Sequence, residues 1–340
     1  MRSNGGSPLV PNRRPRAIGI LGTGSHLPPR VLTNHDLEQM VDTTDEWIRS
    51  RTGIVERHIV DDGVACSDLA AEAGRRACEA AGVDPRDIDL IICATFTPDT
   101  ICPSTACHVQ GKLGNSRAFA FDLEAACSGF VYSLSVAWHF LETGRYRHAL
   151  VIGSEAMSRF IDWEDRNTCV LFADGAGAVV LGEVEEGRGI LSEHMGSDGS
   201  QTDLIIIPGC GSRKPASPAV LEGREQYLKM LGNEVFKFAV RIVGEAVEKA
   251  LEPTGLTQDD IDWLIPHQAN IRIIEAAGKR LNLPRERVVV NLDRCGNTSA
   301  ATVPIALDEI VREGKVKEGD ILAFVAFGGG LTWGANIIRW

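Results

Sequence analysis

The 340-residue sequence predicts an α/β fold in which the same helix–turn–strand unit occurs twice. Short continuous apolar runs, typical of strands covered on both faces, alternate with longer stretches that have helical periodicity. In addition, the stretch Ala70–Ile92 resembles Val243–Ile265 at a constant offset of 173 residues. Chance similarity of two short apolar helices is the alternative explanation of this match. We therefore expect two related α/β halves.

The predicted strands are apolar runs rich in small and β-branched residues. They are Ala17–Leu21, Leu90–Thr97, Ala118–Leu123, Ala149–Gly153 and Gly177–Leu181 in the first half, and Trp263–Pro266, Val288–Leu292, Ile321–Phe327 and Ala335–Arg339 in the second. The predicted helices are Asp68–Ala81, Gly129–Thr143, Gly232–Leu251 and Asn270–Leu281. We assign residues 17–185 to the first half and residues 186–340 to the second. Residues 1–16, which include four arginines, are expected to form a flexible tail.

The composition narrows the class of protein. There are 35 basic and 46 acidic residues, and the net charge of −11 disfavours broad attraction to nucleic acid or to an anionic membrane surface. No apolar run reaches the roughly 18 residues that span a bilayer. The nine cysteines include no CxxC pair, and the sequence begins with no secretion signal, which indicates reduced thiols. We therefore expect a cytoplasmic protein that binds neither nucleic acid nor membranes and holds no metal.

Cys127 is the candidate nucleophile among these cysteines. It is followed by Ser128, Gly129 and an apolar helical pattern, so its sulfur lies just before a helix N-terminus. The helix dipole and the free N–H groups there favour a thiolate, so we expect the pKa of Cys127 to be lowered. The alternative is a buried structural cysteine, which is what we expect of the other eight.

Three further signals lie in the second half. His267 follows the strand Trp263–Pro266 and precedes a helix, where catalytic groups collect, although a lone loop histidine is often only hydrogen-bonded. Asn297 lies in a small-residue turn at an offset of 170 from Cys127. The duplication predicts that these two turns are equivalent and face one cleft, whereas a simple turn former is the alternative for the asparagine. Gly328–Gly330 would let backbone N–H groups approach a ligand, or would form a flexible turn.

The segments AACSGF, PHQAN, GNTSAA and AFGGGLTWG occur in this order. Together they resemble the β-ketoacyl-acyl-carrier-protein synthase III family of the thiolase superfamily, and the similarity extends from about Ile18 to Trp340. The resemblance implies a thiolase-like fold, with duplicated α/β halves in five α/β/α/β/α layers, and a homodimer. It also implies that an acyl-CoA primer acylates the cysteine and condenses with malonyl-acyl carrier protein. The products would be β-ketoacyl-acyl carrier protein, CO2 and CoA, at the start of fatty-acid synthesis, with no cofactor.

By this resemblance the nucleophile is Cys127, and His267 and Asn297 complete a catalytic triad. The two side chains would donate hydrogen bonds to the malonyl thioester oxygen, which gains negative charge as CO2 leaves. His267 would then be neutral, with a donor nitrogen facing the substrate. The backbone N–H groups of Cys127 and Gly329 would hold the oxyanion during acyl transfer, and Phe327 would form an apolar wall beside the malonyl carboxylate.

The resemblance also implies binding residues around this site. The residues expected to contact CoA are Thr43, Trp47, Arg51, Arg166 and Asn270. Trp47 and Arg166 would enclose the adenine. The residues expected to line the primer pocket are Cys102, Met157 and Phe172. Cys102 takes the place of a frequent phenylalanine in the segment that crosses the dimer, so we expect room for longer or branched primers. The residues expected to bind the acidic carrier protein are Lys237, Arg272, Lys279 and Arg280.

The sequence leaves alternative functions open. A condensing enzyme or acyltransferase of a polyketide or other specialised pathway would have the same fold, with oxygen or nitrogen as possible acyl acceptors. A degradative thiolase needs a second cysteine beside the glycine loop, and Ala326–Gly330 contains none. A non-catalytic chain-length factor would be expected to lack the nucleophile.

Overall fold

The computed structural model describes residues 16–340. The predicted tail, residues 1–16, therefore lies outside the described residues except for Arg16. The guanidinium of Arg16 is 3.0 Å from the carboxylate of Glu183, an ion pair made two residues before the first strand begins.

Strands and helices alternate along the chain. The strands are β1 (Ile18–His26), β2 (Val31–Thr33), β3 (Glu56–His58), β4 (Leu90–Ala94), β5 (Phe119–Leu123), β6 (Ala149–Ala156), β7 (Asp174–Glu183), β8 (Gly189–Ser197), β9 (Ile205–Ile206), β10 (Lys229–Met230), β11 (Trp263–Pro266), β12 (Ile321–Gly328) and β13 (Thr332–Arg339). The helices are α1 (Asn34–Glu38), α2 (Asp45–Thr52), α3 (Cys66–Ala81), α4 (Thr105–Lys112), α5 (Gly129–Glu142), α6 (Arg166–Cys169), α7 (Pro218–Glu222), α8 (Gly232–Leu251), α9 (Ile271–Arg280), α10 (Leu292–Cys295) and α11 (Thr302–Arg312). Within residues 16–340, no helix combines the length and the apolar character needed to cross a membrane.

The predicted strand Val288–Leu292 is not a strand in the structure. Its first residue forms an isolated bridge with Leu264 of β11, and Val289 N–H donates to the Leu264 carbonyl at 2.9 Å. The Asn291 N–H donates instead to the side-chain oxygen of Gln268. Because that N–H is taken from the sheet, pairing stops after one residue and α10 begins at once.

The two halves have the same strand topology. The first sheet has the order β1-β7-β6-β4-β5, and the second has the order β8-β13-β12-β11. In each sheet two antiparallel pairs are followed by a parallel pair, which is β6 with β4 in the first and β12 with β11 in the second. The bridge at Val288 occupies the place of β5. The connection between the sheets runs from Glu183 to Gly189, across the predicted boundary of the halves.

Helices cover both faces of both sheets and give five layers. α5 and α11 each contact strands of both sheets, so these two helices form the middle layer. Phe130 and Leu134 of α5 are buried in one apolar cluster with Val303 and Leu307 of α11. α3 covers the outer face of the first sheet, and α8 covers that of the second. The α/β/α/β/α arrangement confirms the predicted thiolase-like fold class.

The turns that enter the two middle-layer helices are equivalent. Each begins with a non-glycine residue at positive φ, Ala126 at 45° and Ser299 at 51°, which starts one turn of 3-10 helix. These positions keep the offset of 173 residues, so no deletion separates the repeats here. The expected equivalence of Cys127 with Asn297 is therefore wrong. The counterpart of Cys127 is Ala300, and Asn297 lies before the equivalent turn.

Candidate active site

A cavity of about 1020 Å³ lies beside the turns that begin α5 and α11. Cys127, His267 and Asn297 all line it, so the fold brings together residues that are up to 170 positions apart. Gly328–Gly330 form part of the same wall. The segment between β8 and α8 forms another part, through residues of the short strands β9 and β10 that the sequence did not predict.

Cys127 is held in its turn by close backbone packing. A Cβ atom on Gly328, at the end of β12, would be 2.6 Å from the Cys127 nitrogen. The Cys127 Sγ atom accepts a hydrogen bond from the Ser299 hydroxyl at 3.4 Å. Burial raises the pKa of Cys127 to about 12, and the Ser299 hydrogen bond acts in the opposite direction. The lowered pKa expected from the helix N-terminus is therefore wrong, because burial, which disfavours the thiolate, is the largest influence on this thiol.

His267 is buried directly after β11. Burial lowers its pKa to about 3, so the imidazole is neutral near pH 7, as the sequence analysis expected. Its Nδ1 atom is 2.7 Å from the Thr302 hydroxyl, and that hydroxyl donates to the Ser299 carbonyl oxygen at 3.0 Å. Because a hydroxyl has one proton, Nδ1 is the donor to Thr302, and the imidazole lone pair is on Nε2. This tautomer differs from the expected one, in which a donor nitrogen faces the substrate.

The Asn297 side chain has a defined orientation. Its Oδ1 atom accepts a hydrogen bond from the Ser299 N–H at 2.9 Å. The backbone is held on both sides, because Asn297 N–H donates to the Leu171 carbonyl and Ala173 N–H donates to the Asn297 carbonyl. With Oδ1 engaged, the Nδ2 group is the part of the amide available to a ligand, and it is a donor. Asn297 thus offers the kind of group that stabilises a developing negative charge.

The glycine loop and the Cys127 turn also offer backbone donors. Within residues 16–340, neither the Cys127 N–H nor the Gly329 N–H donates to a backbone carbonyl. The Thr332 hydroxyl ties the two segments together, since it is 3.0 Å from the Gly329 carbonyl oxygen and 3.0 Å from the carbonyl oxygen that precedes the Cys127 turn. The Phe327 ring meets the His267 ring edge-to-face at 5.4 Å between centroids.

The residues expected to contact CoA lie at or near one side of the cavity. Trp47, Arg51 and Asn270 line it, and the Asn270 amide donates to the Arg51 carbonyl at 2.9 Å. The Arg166 guanidinium is 4.6 Å from the centre of the Trp47 ring, so the two groups expected to enclose an adenine contact each other. Thr43 is not among the lining residues, and its buried hydroxyl has no hydrogen-bond partner within the described chain.

The structure separates the three residues expected to line the primer pocket. Phe172 lines the cavity. Met157 is fully buried in the core and does not line it, contrary to the expectation. Cys102 is exposed on the surface of the chain and outside the cavity, so a contact with a primer requires a second copy of the chain.

Two of the four basic residues expected to bind the carrier protein are already paired with carboxylates. Arg280 pairs with a glutamate of α8 at 2.7 Å, and Lys237 pairs with a glutamate of its own helix at 3.0 Å. Arg272 lines the cavity, where its guanidinium lies 4.8 Å from the centre of a phenylalanine ring. In the described part of the chain, Arg272 and Lys279 form no salt bridge.

Sequence reasoning missed the residues that hold the triad. Ser299 and Thr302 contact it directly, and Glu155 contacts Ser299; all three are buried. Ser299 stands in a segment noted for its resemblance, but nothing local marks its hydroxyl as a contact of Cys127, 172 positions away. Glu155 carried one signal, since an acidic residue within a buried strand is rare without a specific partner.

Among the nine cysteines, all of which are free thiols, Cys127 lines the cavity. Within residues 16–340, no group of three or more His, Cys, Asp or Glu side chains is arranged to hold a metal ion. A cysteine that can carry an acyl group, next to two neutral hydrogen-bonding side chains, suits the formation of a carbon–carbon bond from a thioester. Between the halves of a duplicated five-layer fold, these groups define a thiolase-fold condensing enzyme.

Comparisons with known proteins identify the family. The family described as 3-oxoacyl-[acyl-carrier-protein (ACP)] synthase III matches residues 121–199, and the one described as its C terminal matches residues 251–340. The β-ketoacyl-[acyl-carrier-protein] synthase III of Caldanaerobacter subterraneus subsp. tengcongensis is 57% identical, over 95% of this chain and 98% of that protein. The chain belongs to the β-ketoacyl-[acyl-carrier-protein] synthase III family and is an acyltransferase.

Solved structures agree with this assignment. The crystal structure of 3-oxoacyl-[acyl-carrier-protein] synthase III from Aquifex aeolicus has a TM-score of 0.89 and 47% identity, covering 95% of this chain and 100% of that one. A priming β-ketosynthase from a polyketide biosynthetic pathway has a TM-score of 0.89 and 37% identity, covering 97% of this chain and 98% of that one. The second similarity means that the fold does not separate fatty-acid from polyketide priming.

Proposed function

We propose that this chain starts fatty-acid synthesis by condensing an acyl-CoA primer with malonyl-acyl carrier protein, with release of CO2 and CoA. The observation that carries the proposal is the position of Cys127, His267 and Asn297 on one cavity. The names of relatives that are up to 57% identical support the carrier-protein substrate. A thiol nucleophile and hydrogen-bond donors supply the required chemistry, so the reaction needs no metal or cofactor. Nine free thiols suit a reducing cytoplasm.

In the first step, Cys127 attacks the primer thioester. A bond forms between Sγ and the acyl carbon, the bond from that carbon to the CoA sulfur breaks, and the thiol proton leaves with CoA. The lone pair on His267 Nε2 is suited to carry this proton between the two sulfur atoms. The N–H groups of Cys127 and Gly329 stabilise the oxyanion of the tetrahedral intermediate.

In the second step, malonyl-acyl carrier protein loses CO2. The bond to the carboxylate carbon breaks, and its electron pair moves toward the thioester oxygen, where Asn297 Nδ2 and His267 Nε2 donate hydrogen bonds. For His267 this requires the other tautomer: Nδ1 gives up its proton to water, Nε2 takes one from water, and the Thr302 hydroxyl turns from the backbone carbonyl to donate to Nδ1. The resulting enolate attacks the acyl carbon, and the sulfur of Cys127 leaves as a thiolate that takes a proton from water. The Phe327 ring disfavours the malonyl carboxylate charge and so assists its loss.

CoA binds at the mouth of the cavity in this proposal. Trp47 and Arg166, whose groups are 4.6 Å apart, separate to admit the adenine between them. Arg51 is the cation nearest the phosphates, Asn270 supplies an amide, and Thr43 lies beside them. Phe172 contacts the acyl chain farther inside.

The carrier protein docks at the same mouth. Its acidic surface cannot be attracted by the overall charge of this chain, which is −11, so a local basic patch is needed. Arg272 and Lys279 supply that patch, because the charges of Lys237 and Arg280 are offset by neighbouring carboxylates.

The chain functions as a homodimer in this proposal. Ile101 is 94% exposed, which is unusual for a large apolar side chain, and it stands next to Cys102. A second copy covers this segment and receives Cys102 at its own primer pocket. A small residue there leaves room for primers longer than acetyl, and Cys102→Phe is expected to shift the preference toward short ones.

A two-step assay tests the proposal. The protein is incubated with a panel of acyl-CoAs, the mass added to Cys127 is recorded, and malonyl-acyl carrier protein is then supplied. The expected products are CO2 and a β-ketoacyl chain on the carrier. Asn297→Ala should acylate normally but lose condensation by about 10²–10³-fold, because one oxyanion donor is missing. An ester or amide formed without CO2 would contradict the proposal and favour a specialised acyltransferase.

A further inference from the structure

A buried carboxyl group lies behind the nucleophile and has no part in the steps above. Glu155, near the end of β6, has no solvent exposure. Its Oε1 atom is 3.1 Å from the Ser299 hydroxyl oxygen, which is 3.4 Å from Cys127 Sγ. The three side chains therefore form a continuous hydrogen-bonding chain that runs from the core to the sulfur.

The other carboxylate oxygen determines where Glu155 carries a proton. Oε2 is 2.5 Å from the Thr97 hydroxyl, 3.1 Å from the Thr95 hydroxyl and 3.4 Å from the Phe96 N–H. Both hydroxyls donate to Oε2, and each also accepts a hydrogen bond from a backbone N–H. With three donors on Oε2, the proton of a neutral Glu155 resides on Oε1, where it faces Ser299.

We propose that Glu155 is a positioning residue that controls the nucleophile through Ser299. When it is protonated, Glu155 donates to the Ser299 oxygen, and the Ser299 hydroxyl donates to Cys127 Sγ and stabilises the thiolate. When Glu155 is ionised, its carboxylate accepts the hydrogen bond from the Ser299 hydroxyl. The sulfur then loses its donor and faces a second negative charge. The inference rests on the proposed role of Cys127, but it concerns the reactivity of the sulfur toward any electrophile.

The surroundings of Glu155 explain why a proton is retained. Burial raises the pKa of Glu155 to about 8, although hydroxyl groups donate to its charged form. The titratable groups beside Glu155 are thiols. Cys66 of α3 is 3.4 Å from the Thr95 hydroxyl, and Cys93 of β4 is close enough for the charge of Glu155 to raise its pKa. The neighbouring Cys66 thiol, together with burial, raises the pKa of Cys93 well above its usual range, so the Cys93 thiol stays neutral. Glu124 adds a further negative charge near Cys127.

The two groups titrate as a pair, which gives the inference a distinct signature. The first proton lost from the pair leaves the charge on Glu155 or on Cys127, and the ratio of these two states does not change with pH. Alkylation of Cys127 should therefore rise about tenfold per pH unit below about pH 8 and then level off. In Glu155→Gln no competing ionisation exists, so the rise continues. From pH 7 to pH 9 the unmodified chain gains about tenfold, and the variant about a hundredfold.

The experiment measures alkylation of Cys127 by iodoacetamide over this pH range, with mass spectrometry of the Cys127 peptide. Ser299→Ala is the second variant and should slow alkylation about tenfold at each pH, because the donor to the thiolate is removed. The exposed thiol of Cys210 provides an internal control in the same samples, since its alkylation rate should not differ between variants.

Asp174→Asn is the matched control. Asp174 is also a fully buried carboxyl that accepts from a serine hydroxyl, but it contacts neither Cys127 nor Ser299, so the plateau should persist. A plateau near pH 8 in Glu155→Gln, or none in the unmodified chain, overturns the inference. If Glu155→Gln does not fold, infrared spectroscopy of the unmodified chain decides. A band of a protonated carboxyl group that disappears at the pH where alkylation levels off supports the inference. Absence of this band at pH 7 refutes it. Lack of condensation activity would leave the alkylation profile unchanged.

Discussion

Gly328→Ala tests whether packing of the glycine loop positions Cys127. The added Cβ would lie 2.6 Å from the Cys127 nitrogen and 3.1 Å from the Ala126 Cβ, both closer than such atoms normally approach. The first contact is with backbone, which cannot rotate away, so the turn itself must move. Overpacking of this kind lowers the free energy of unfolding by about 1–3 kcal/mol. A shift of the sulfur by about 1 Å costs about a hundredfold in the rate of acyl transfer.

The assay is the rate at which an acyl-CoA adds its acyl group to Cys127, followed by mass spectrometry and paired with a thermal melt. Gly199→Ala is the matched control, because a Cβ at Gly199 meets no atom within 4 Å and the residue is exposed. We expect the control to keep its acylation rate and melting temperature. If Gly328→Ala acylates at the rate of the unmodified chain, close packing of the loop does not position Cys127.

Three further predictions concern the surroundings of the triad. Thr302→Val should slow condensation about tenfold, because the Nδ1 atom of His267 loses its hydrogen-bond partner. Thr302→Ser keeps a hydroxyl there and should restore the rate. Equal rates in the two variants would argue against control of the tautomer by Thr302. Because burial lowers the pKa of His267 to about 3, the unfolded chain binds a proton there below about pH 6.5 and the folded chain does not. His267 should therefore make the free energy of unfolding about 2 kcal/mol lower at pH 5 than at pH 7. Urea denaturation at the two pH values measures this difference, and His267→Gln should not show this contribution. Arg166→Ala should raise the KM for acyl-CoA about tenfold with little change in kcat, because the adenine then stacks on Trp47 alone. An unchanged KM would mean that the nucleotide binds elsewhere.

The fold class could be predicted because it depends on repeated local patterns. α8 has the predicted bounds Gly232–Leu251, since its apolar stripe continues over the whole helix. The strand predicted from Val288 was wrong because a side chain 23 positions away, that of Gln268, takes the N–H that would continue the sheet. β8, an edge strand of the second sheet, was missed because Ile190 and Leu191 are followed by the polar run Ser192–His194, so its apolar run is too short to predict a strand.

Part of the candidate site could also be predicted, because some of its residues lie within local sequence patterns. Cys127 and His267 lie at the ends of recognisable elements, and the resemblance supplied their roles. The direction of the Cys127 pKa was not predictable from the helix N-terminus, because burial depends on the packed fold. The contacts of Thr302 with His267 and of Glu155 with Ser299 link positions 35 and 144 residues apart, so no local pattern contains them.

The shared middle layer means that neither half of the chain can bury its own apolar surface alone. α5 belongs to the first half but buries one face against the second sheet, and α11 does the reverse. A lone half would leave such a face in water, so an ancestral single unit would have needed a second copy of itself. The turn from Glu183 to Gly189 holds both halves in one chain, so each such face always has its partner. The halves carry different groups at the shared cavity, the thiol of Cys127 in one and the imidazole of His267 and carboxamide of Asn297 in the other.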